Sequence, residues 1–271
     1  MLTPEQYTAY VQTNKPAYID LSNVSVSKEL TLKQLKEGMG ENTLYNLPAN
    51  SPLRGDNIIK GGQCESLVLT DKQPLNLATA FTAAKVTYER ASTGYQWGTV
   101  CLPYSLTASE SIKYYQLSSV SGTTMLLTEV GTVQAGQPAI YCMTDASAFT
   151  ANRNEPTTIE AGTTDVASGD YTLVGVMDES VTLSIGSDNY YIANDKFWAP
   201  TTNAVTVVPF RAYFKAAGSG APSFDIAIDD DPTAINAMLN PQSSMSNNYY
   251  DLQGRKVPSG RRSSPLRRQQ A

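Results

Sequence analysis

From Thr82 to Ile228 the chain is written almost entirely in short apolar runs separated by turn residues, and no segment keeps a helical period. That pattern admits few folds. Short strands at close spacing, without helices to cross between them, imply an antiparallel sandwich or barrel. The expected strands are residues 85–90, 97–103, 112–117, 124–130, 138–143, 157–161, 171–177, 181–185, 190–193, 196–198, 204–215 and 224–228. Ser121-Gly122 and Asn194-Asp195 sit between such runs and carry hairpin-turn chemistry.

The first 75 residues differ. Thr3-Pro4-Glu5-Gln6 places a hydroxyl, a proline and a glutamine where a helix start needs them, and Thr31-Leu32-Lys33-Gln34 repeats the signal. Strands are expected at 17–21, 44–47 and 66–70. Strand and helix in such short alternation imply parallel strands stacked by small crossovers, as at the end of a repeat array. The fold class is therefore mainly β: an antiparallel β-sandwich (residues 76–228) preceded by a small α/β repeat-like region (1–75). Residues 229–248 read as linker, and 249–271 as a short strand-like motif with a disordered basic tail.

Charge excludes one class of partner. The net charge is −5, yet Arg255, Lys256, Arg261, Arg262, Arg267 and Arg268 all lie at the very end. Without those six, 14 basic residues face 25 acidic ones, a body of −11. Such a surface does not neutralise phosphates, so nucleic acid is not an expected partner. No apolar stretch is long enough for a membrane span, and the first residues lack the pattern of a signal peptide.

The chain has no histidine. Ser-His and Cys-His nucleophilic pairs, imidazole acid–base chemistry and histidine-bearing zinc sites are all removed. Cys64, Cys101 and Cys142 are widely spaced and form no CxxC. Cys101 and Cys142 lie inside apolar runs and read as small buried hydrophobes in preference to a disulfide. No cofactor or metal is expected. Asp229-Asp230-Asp231 departs from the EF-hand pattern, and Asp188, Asn189 and Asp195 are ordinary turn formers. Ser25-Val26-Ser27-Lys28 matches a Ser-x-x-Lys pattern that arises by chance in a chain this long.

Trp97, Trp198, Tyr114, Tyr115, Tyr190 and Tyr191 are the candidate site residues. Flat aromatic faces stack on sugar rings, and adjacent tyrosines on a strand point to opposite faces, so one of each pair is expected to leave the core. Packing within the sheet is the plain alternative.

At Trp97-Gly98-Thr99-Val100-Cys101-Leu102-Pro103-Tyr104 the sequence resembles the β domain near the C-termini of large surface proteins of Bacteroidetes, leucine-rich-repeat types among them. Tyr115 to Val130, Ala135 to Ile140, Tyr190 to Trp198 and Val208 to Phe214 fit the same resemblance. Upstream, residues 50–62 and Cys64 to Asp71 resemble the segment that precedes that domain. Tyr250 to Val257 looks like the start of those proteins' C-terminal sorting motif, here continuing into PSGRRSSPLRRQQA in place of a Gly-aromatic-apolar strand. The resemblance implies an extracellular or outer-surface home, a place beside neighbouring domains of a longer surface protein, and no reaction. Three functions follow, in order. The first is a non-catalytic structural or adhesion module making protein or glycan contacts. The second is a carbohydrate-binding module with one aromatic face. The third, remote, is a glycoside hydrolase built on two of Glu110, Glu129, Glu155, Glu160 and Glu179.

Overall fold

Both helix starts form as their sequences dictate. Thr3 caps α1 (Pro4–Asn14) and Thr31 caps α2 (Leu32–Lys36), each with its glutamine closing a reciprocal capping box. The computed structural model describes residues 1–229 and the backbone of two short strands, 249–250 and 256–257.

Along the chain come β1 (Tyr18–Asp20), β2 (Leu44–Leu47), β3 (Ile58–Lys60), β4 (Gln63–Cys64), β5 (Leu67–Thr70), β6 (Phe81–Ala83) and β7 (Val86–Arg90). Next are β8 (Trp97–Cys101), β9 (Leu106–Thr107), β10 (Ile112–Ser121), β11 (Thr124–Val130), β12 (Thr132–Val133), β13 (Pro138–Met143), β14 (Phe149–Thr150) and β15 (Thr157–Ile159). The last are β16 (Val166–Ser168), β17 (Tyr171–Val176), β18 (Val181–Leu183), β19 (Asn189–Ala193), β20 (Lys196–Trp198), β21 (Val205–Val207), β22 (Arg211–Ala216) and β23 (Ser223–Ile228).

A six-stranded sheet runs β1-β2-β3-β4-β6-β15, and β1, β2 and β3 are parallel, as the strand–helix alternation implies. Strand β4 follows β3 directly, whereas β6 and β15 come from beyond residue 75, so this sheet draws strands from both sides of that position. Residues 1–229 make one compact unit. The main sheet has ten strands in the order β16-β17-β22-β19-β20-β23-β11-β10-β13-β8. It is antiparallel throughout except where β11 meets β23 in parallel register. It curls over on itself. Thr99 on its last strand exchanges two hydrogen bonds with Ala212 on its third, at 2.9 and 3.0 Å. At the other end Ser168 Oγ donates to Ser118 O at 2.6 Å.

Inside the curl lies one core: Tyr115, Leu117, Met125, Leu127, Ile140, Leu173, Tyr190, Phe197, Phe214 and Phe224. Outside it, Tyr114, Ala139, Tyr141 and Met143 pack against Leu69, Tyr88 and Phe149 of a three-stranded sheet, β14-β7-β5. Strands β10 and β13 are thus apolar on both faces, and β13 is buried along nearly its whole length.

The Asn194-Asp195 hairpin forms with both residues left-handed, φ 51° and 58°, the geometry of a type I′ turn. The expected strand 204–215 is two strands. Pro209 carries no amide hydrogen, and Phe210 takes φ 67°, a conformation that no strand accommodates. The three thiols are free. Burial pushes Cys101 up to about 12 and Cys64 up to about 11, so both are inert, while Cys142 is only half-buried.

Tyr249–Tyr250 (β24) and Lys256–Val257 (β25) pair antiparallel within the expected strand-like motif. The expected linker, apart from Asp229, and the expected basic tail lie outside the described residues. Among the described residues no helix is long and apolar enough to cross a membrane.

Candidate functional site

Strand β8 is the open edge of the ten-stranded sheet, and an open edge presents unpaired backbone groups. Here the edge is closed by side chains. Thr99 Oγ1 bridges to the backbone of Ala212 on β22. Arg90, the last residue of β7, reaches across and donates from Nη1 to the Thr99 carbonyl at 3.0 Å and to Tyr141 Oη at 3.2 Å. Its Nη2 donates to the Phe210 carbonyl at 3.3 Å. That carbonyl is aimed by the left-handed conformation of Phe210, backbone strain placed where a side chain needs an acceptor.

Gly98 makes room for this arrangement. It faces Tyr141 across the β8–β13 ladder, and a methyl group there would run into the Tyr141 ring and hydroxyl. The absent side chain lets Tyr141 lie over the strand and carry its hydroxyl to Arg90.

Arg90 is 4% exposed. Its guanidinium carbon lies 4.7 Å from the Phe149 ring centroid and 5.4 Å from that of Tyr141. Such contacts are worth about 2 kcal/mol when desolvated, and the Arg90 charge also couples to the Asp71 carboxylate without a direct ion pair. Among the described residues Arg90 meets no carboxylate at ion-pair distance, and its Nε has no hydrogen-bond partner. Arg211 is different. It grips Asp71 with both terminal nitrogens, at 2.8 and 2.9 Å. Burial raises the Asp71 carboxyl, but the Arg211 hydrogen bonds and charge, the Tyr88 hydroxyl and the charge of Arg90 outweigh it and hold the group below its ordinary value.

A cleft of about 300 Å³ opens beside this arrangement. Its lining brings Trp97 and Tyr191, both half-buried, together with Tyr95, Tyr141, Arg90 and Arg211. Tyr95 is 41% exposed and stands free in the loop before β8. Trp97 rests on Tyr115, ring centroids 5.2 Å apart, and its backbone N–H donates to Asp195 at 3.1 Å. The cleft lining contains no Asp, Glu, Ser or Cys.

The other expected aromatics go elsewhere. Trp198 is half-buried, donates from Nε1 to the Ala193 carbonyl at 2.8 Å and is absent from the cleft lining. Tyr114, Tyr115 and Tyr190 are 2%, 4% and 1% exposed. The expectation that one of each adjacent tyrosine pair leaves the core fails for Tyr114 and Tyr115, because cores lie on both sides of β10. For Tyr190 and Tyr191 it holds, and Tyr191 is the one that reaches the cleft.

The carboxylates do not converge on the cleft. Glu129 pairs with Lys113 at 3.1 Å on an exposed face, and none of Glu110, Glu155, Glu160 and Glu179 lines the cleft. Asp188 accepts from the Gly218 amide at 2.8 Å and Asp229 from Ser118 at 2.8 Å, both holding chain turns. No group of three His, Cys, Asp or Glu residues is set to hold a metal among the described residues. Ser25 and Lys28 line a separate groove of about 430 Å³ near the start of the chain.

Arg90 carried no local signal. Its acceptors are 9, 51 and 120 residues away along the chain. Tyr95 was equally silent, one tyrosine among 16 in a polar loop. Comparison of the chain with protein-family models, with curated proteins and with solved structures finds no match.

Proposed function

We propose that this chain is a non-catalytic binding module of a secreted or surface-exposed protein, and that it makes its contacts through the cleft at Trp97. The supporting observation is the chemistry of the lining. Two guanidinium groups, three tyrosines, the Trp97 indole, threonines, a glycine and aliphatic side chains make up the lining, with no carboxylate, imidazole or thiol among them. These groups bind and orient.

The rings of Tyr95, Trp97 and Tyr191, with buried Tyr141 behind them, suit a sugar in a concave site better than a flat protein surface. A pyranose offers an apolar face to a ring and hydroxyls to the rim. The ten-stranded sheet supplies the rigid support that such a site needs. A glycan array tests the reading. The parent protein is expected to bind a subset of oligosaccharides. Trp97→Ala is expected to weaken that binding about tenfold, or 1.4 kcal/mol. Trp198→Ala, outside the cleft, leaves it unchanged. An array on which the parent protein binds nothing removes the glycan reading.

A further inference from the structure

We infer that this cleft takes an N-acetylated sugar, and that the main chain of Ile192 receives the acetamide. The inference rests on the binding-module reading and names its ligand class. It is carried by a strand ladder that stops at the cleft. Strand β19 pairs with β22 through Asn189↔Lys215 and Tyr190↔Phe214. The same register would set Ile192 opposite Ala212 as the next hydrogen-bonded pair. That pair does not form. Thr99 Oγ1 holds both main-chain groups of Ala212, donating to the carbonyl at 2.9 Å and accepting from the amide at 3.0 Å.

Alternation fixes where the Ile192 groups point, because successive residues of a strand turn their N–H and C=O to opposite neighbours. Ala216 donates to the Asp188 carbonyl, so Asp188, Tyr190 and Ile192 turn toward β22. Tyr191 and Ala193 turn toward β20. Ile192 is half-buried and lines the cleft together with Ala212. Its N–H and C=O face the cleft with no hydrogen-bond partner among the described residues. On β8, Met143 donates to the Gln96 carbonyl, so Trp97, next along, turns away from β13. Its N–H meets Asp195. Its carbonyl shares that side and has no partner among the described residues. A secondary amide carries one acceptor and one donor on opposite edges, as a peptide unit does. The acetamide carbonyl accepts from the Ile192 N–H, and the acetamide N–H donates to the Trp97 carbonyl. Val205, Val207, Val208 and Ala212 supply apolar lining for the methyl group. A hydroxyl in place of the acetamide would lose water against those aliphatic groups and gain less. A volume of about 300 Å³ is the low end for small-ligand sites and suits one substituted ring, not a long chain segment.

The test uses the unmodified protein and three matched probes. They are di-N-acetylchitobiose, cellobiose, and the cellobiose ester acetylated at the same two positions, which keeps carbonyl and methyl but lacks the N–H. Titration calorimetry is expected to show chitobiose binding about tenfold more tightly than cellobiose, with the ester between them. In amide NMR spectra the Ile192 proton is expected to move downfield with chitobiose, as it gains an acceptor, and to stay in place with cellobiose. Ile192→Pro deletes that N–H without breaking a ladder bond and is expected to abolish the acetamide preference, whereas Ile192→Val keeps it. Chitobiose and cellobiose binding equally would overturn the inference and leave the binding-module reading standing. A chitobiose preference with the Ile192 amide unmoved, or kept in a folded Ile192→Pro protein, would also overturn it. So would an acetyl-lysine peptide binding more tightly than chitobiose, which would assign the site to protein. Failure of all three probes and of every glycan on the array would remove both readings.

Discussion

Phe214→Ala is expected to cost about 3–5 kcal/mol of unfolding free energy, the range for emptying a buried aromatic site. Phe214 is fully buried in β22, third strand of the curled sheet. Its ring lies 5.1 Å from Phe224, 5.7 Å from Phe197, 5.8 Å from Tyr171 and 5.9 Å from Tyr190, so four aromatic contacts are lost at once. The neighbours come from β17, β19, β20 and β23, and cannot all shift inward without breaking their ladders. Phe214→Leu keeps most of the volume and is expected to cost less than half as much. Urea titrations followed by tryptophan fluorescence measure both. A cost below about 1 kcal/mol for the alanine variant would mean that the ring is not enclosed.

Asp71→Asn is expected to have an effect of similar size for an electrostatic reason. The carboxylate joins three segments, accepting two hydrogen bonds from Arg211 and one from Tyr88 at 2.7 Å. An amide of the same shape has one acceptor oxygen and turns a donor toward the guanidinium. Arg211, little exposed, then loses its ion-pair partner, and Arg90 loses the carboxylate charge to which it couples. Breaking a buried pair from one side costs about 3–5 kcal/mol. At about 2–4 °C per kcal/mol for a chain of this size, the melting temperature falls by roughly 6–20 °C. The pH dependence follows from the sign of the shift. Asp71 is held below its ordinary value of 3.8 in the folded protein. Its contribution is therefore fully present above that value and is lost as pH falls through the lowered one. The stability gap between parent and variant should be constant from pH 5 to 8 and close in strong acid. A gap that widened in acid would contradict the ion pair.

What the sequence made legible was local chemistry. Thr3, Thr31 and the Asn194-Asp195 pair act on atoms within a few residues, so their helix starts and hairpin were readable without knowing the fold. The apolar runs at 124–130 and 138–143 also placed strands where they stand. Alternation says which residues share a face, but not whether the opposite face is covered. Tyr114 is buried because Leu69, Tyr88 and Phe149, from distant segments, fold over the outside of the sheet. No feature near Tyr114 announces that. Strand β15 is a similar case. Residues 157–159 join the sheet begun by residues 18–47, a pairing set by tertiary packing alone. Of the aromatic candidates, Trp97 and Tyr191 reach one cleft because a strand edge and a hairpin meet there. The arginine beneath them is defined only by partners across the fold.

The proposed binding through one cleft at the edge of the large sheet is open to a direct measurement. Amide and indole NMR spectra of the labelled protein, recorded during titration with an oligosaccharide that the parent protein binds on the array, address it directly. The account predicts that the Trp97 indole signal and the amides of Gly98, Thr99 and Tyr191 to Ala193 shift together and saturate. The Trp198 indole touches the cleft only through its hydrogen bond to the Ala193 carbonyl and should move far less than that of Trp97. Saturating shifts confined to another surface, with the Trp97 group unmoved, would contradict it.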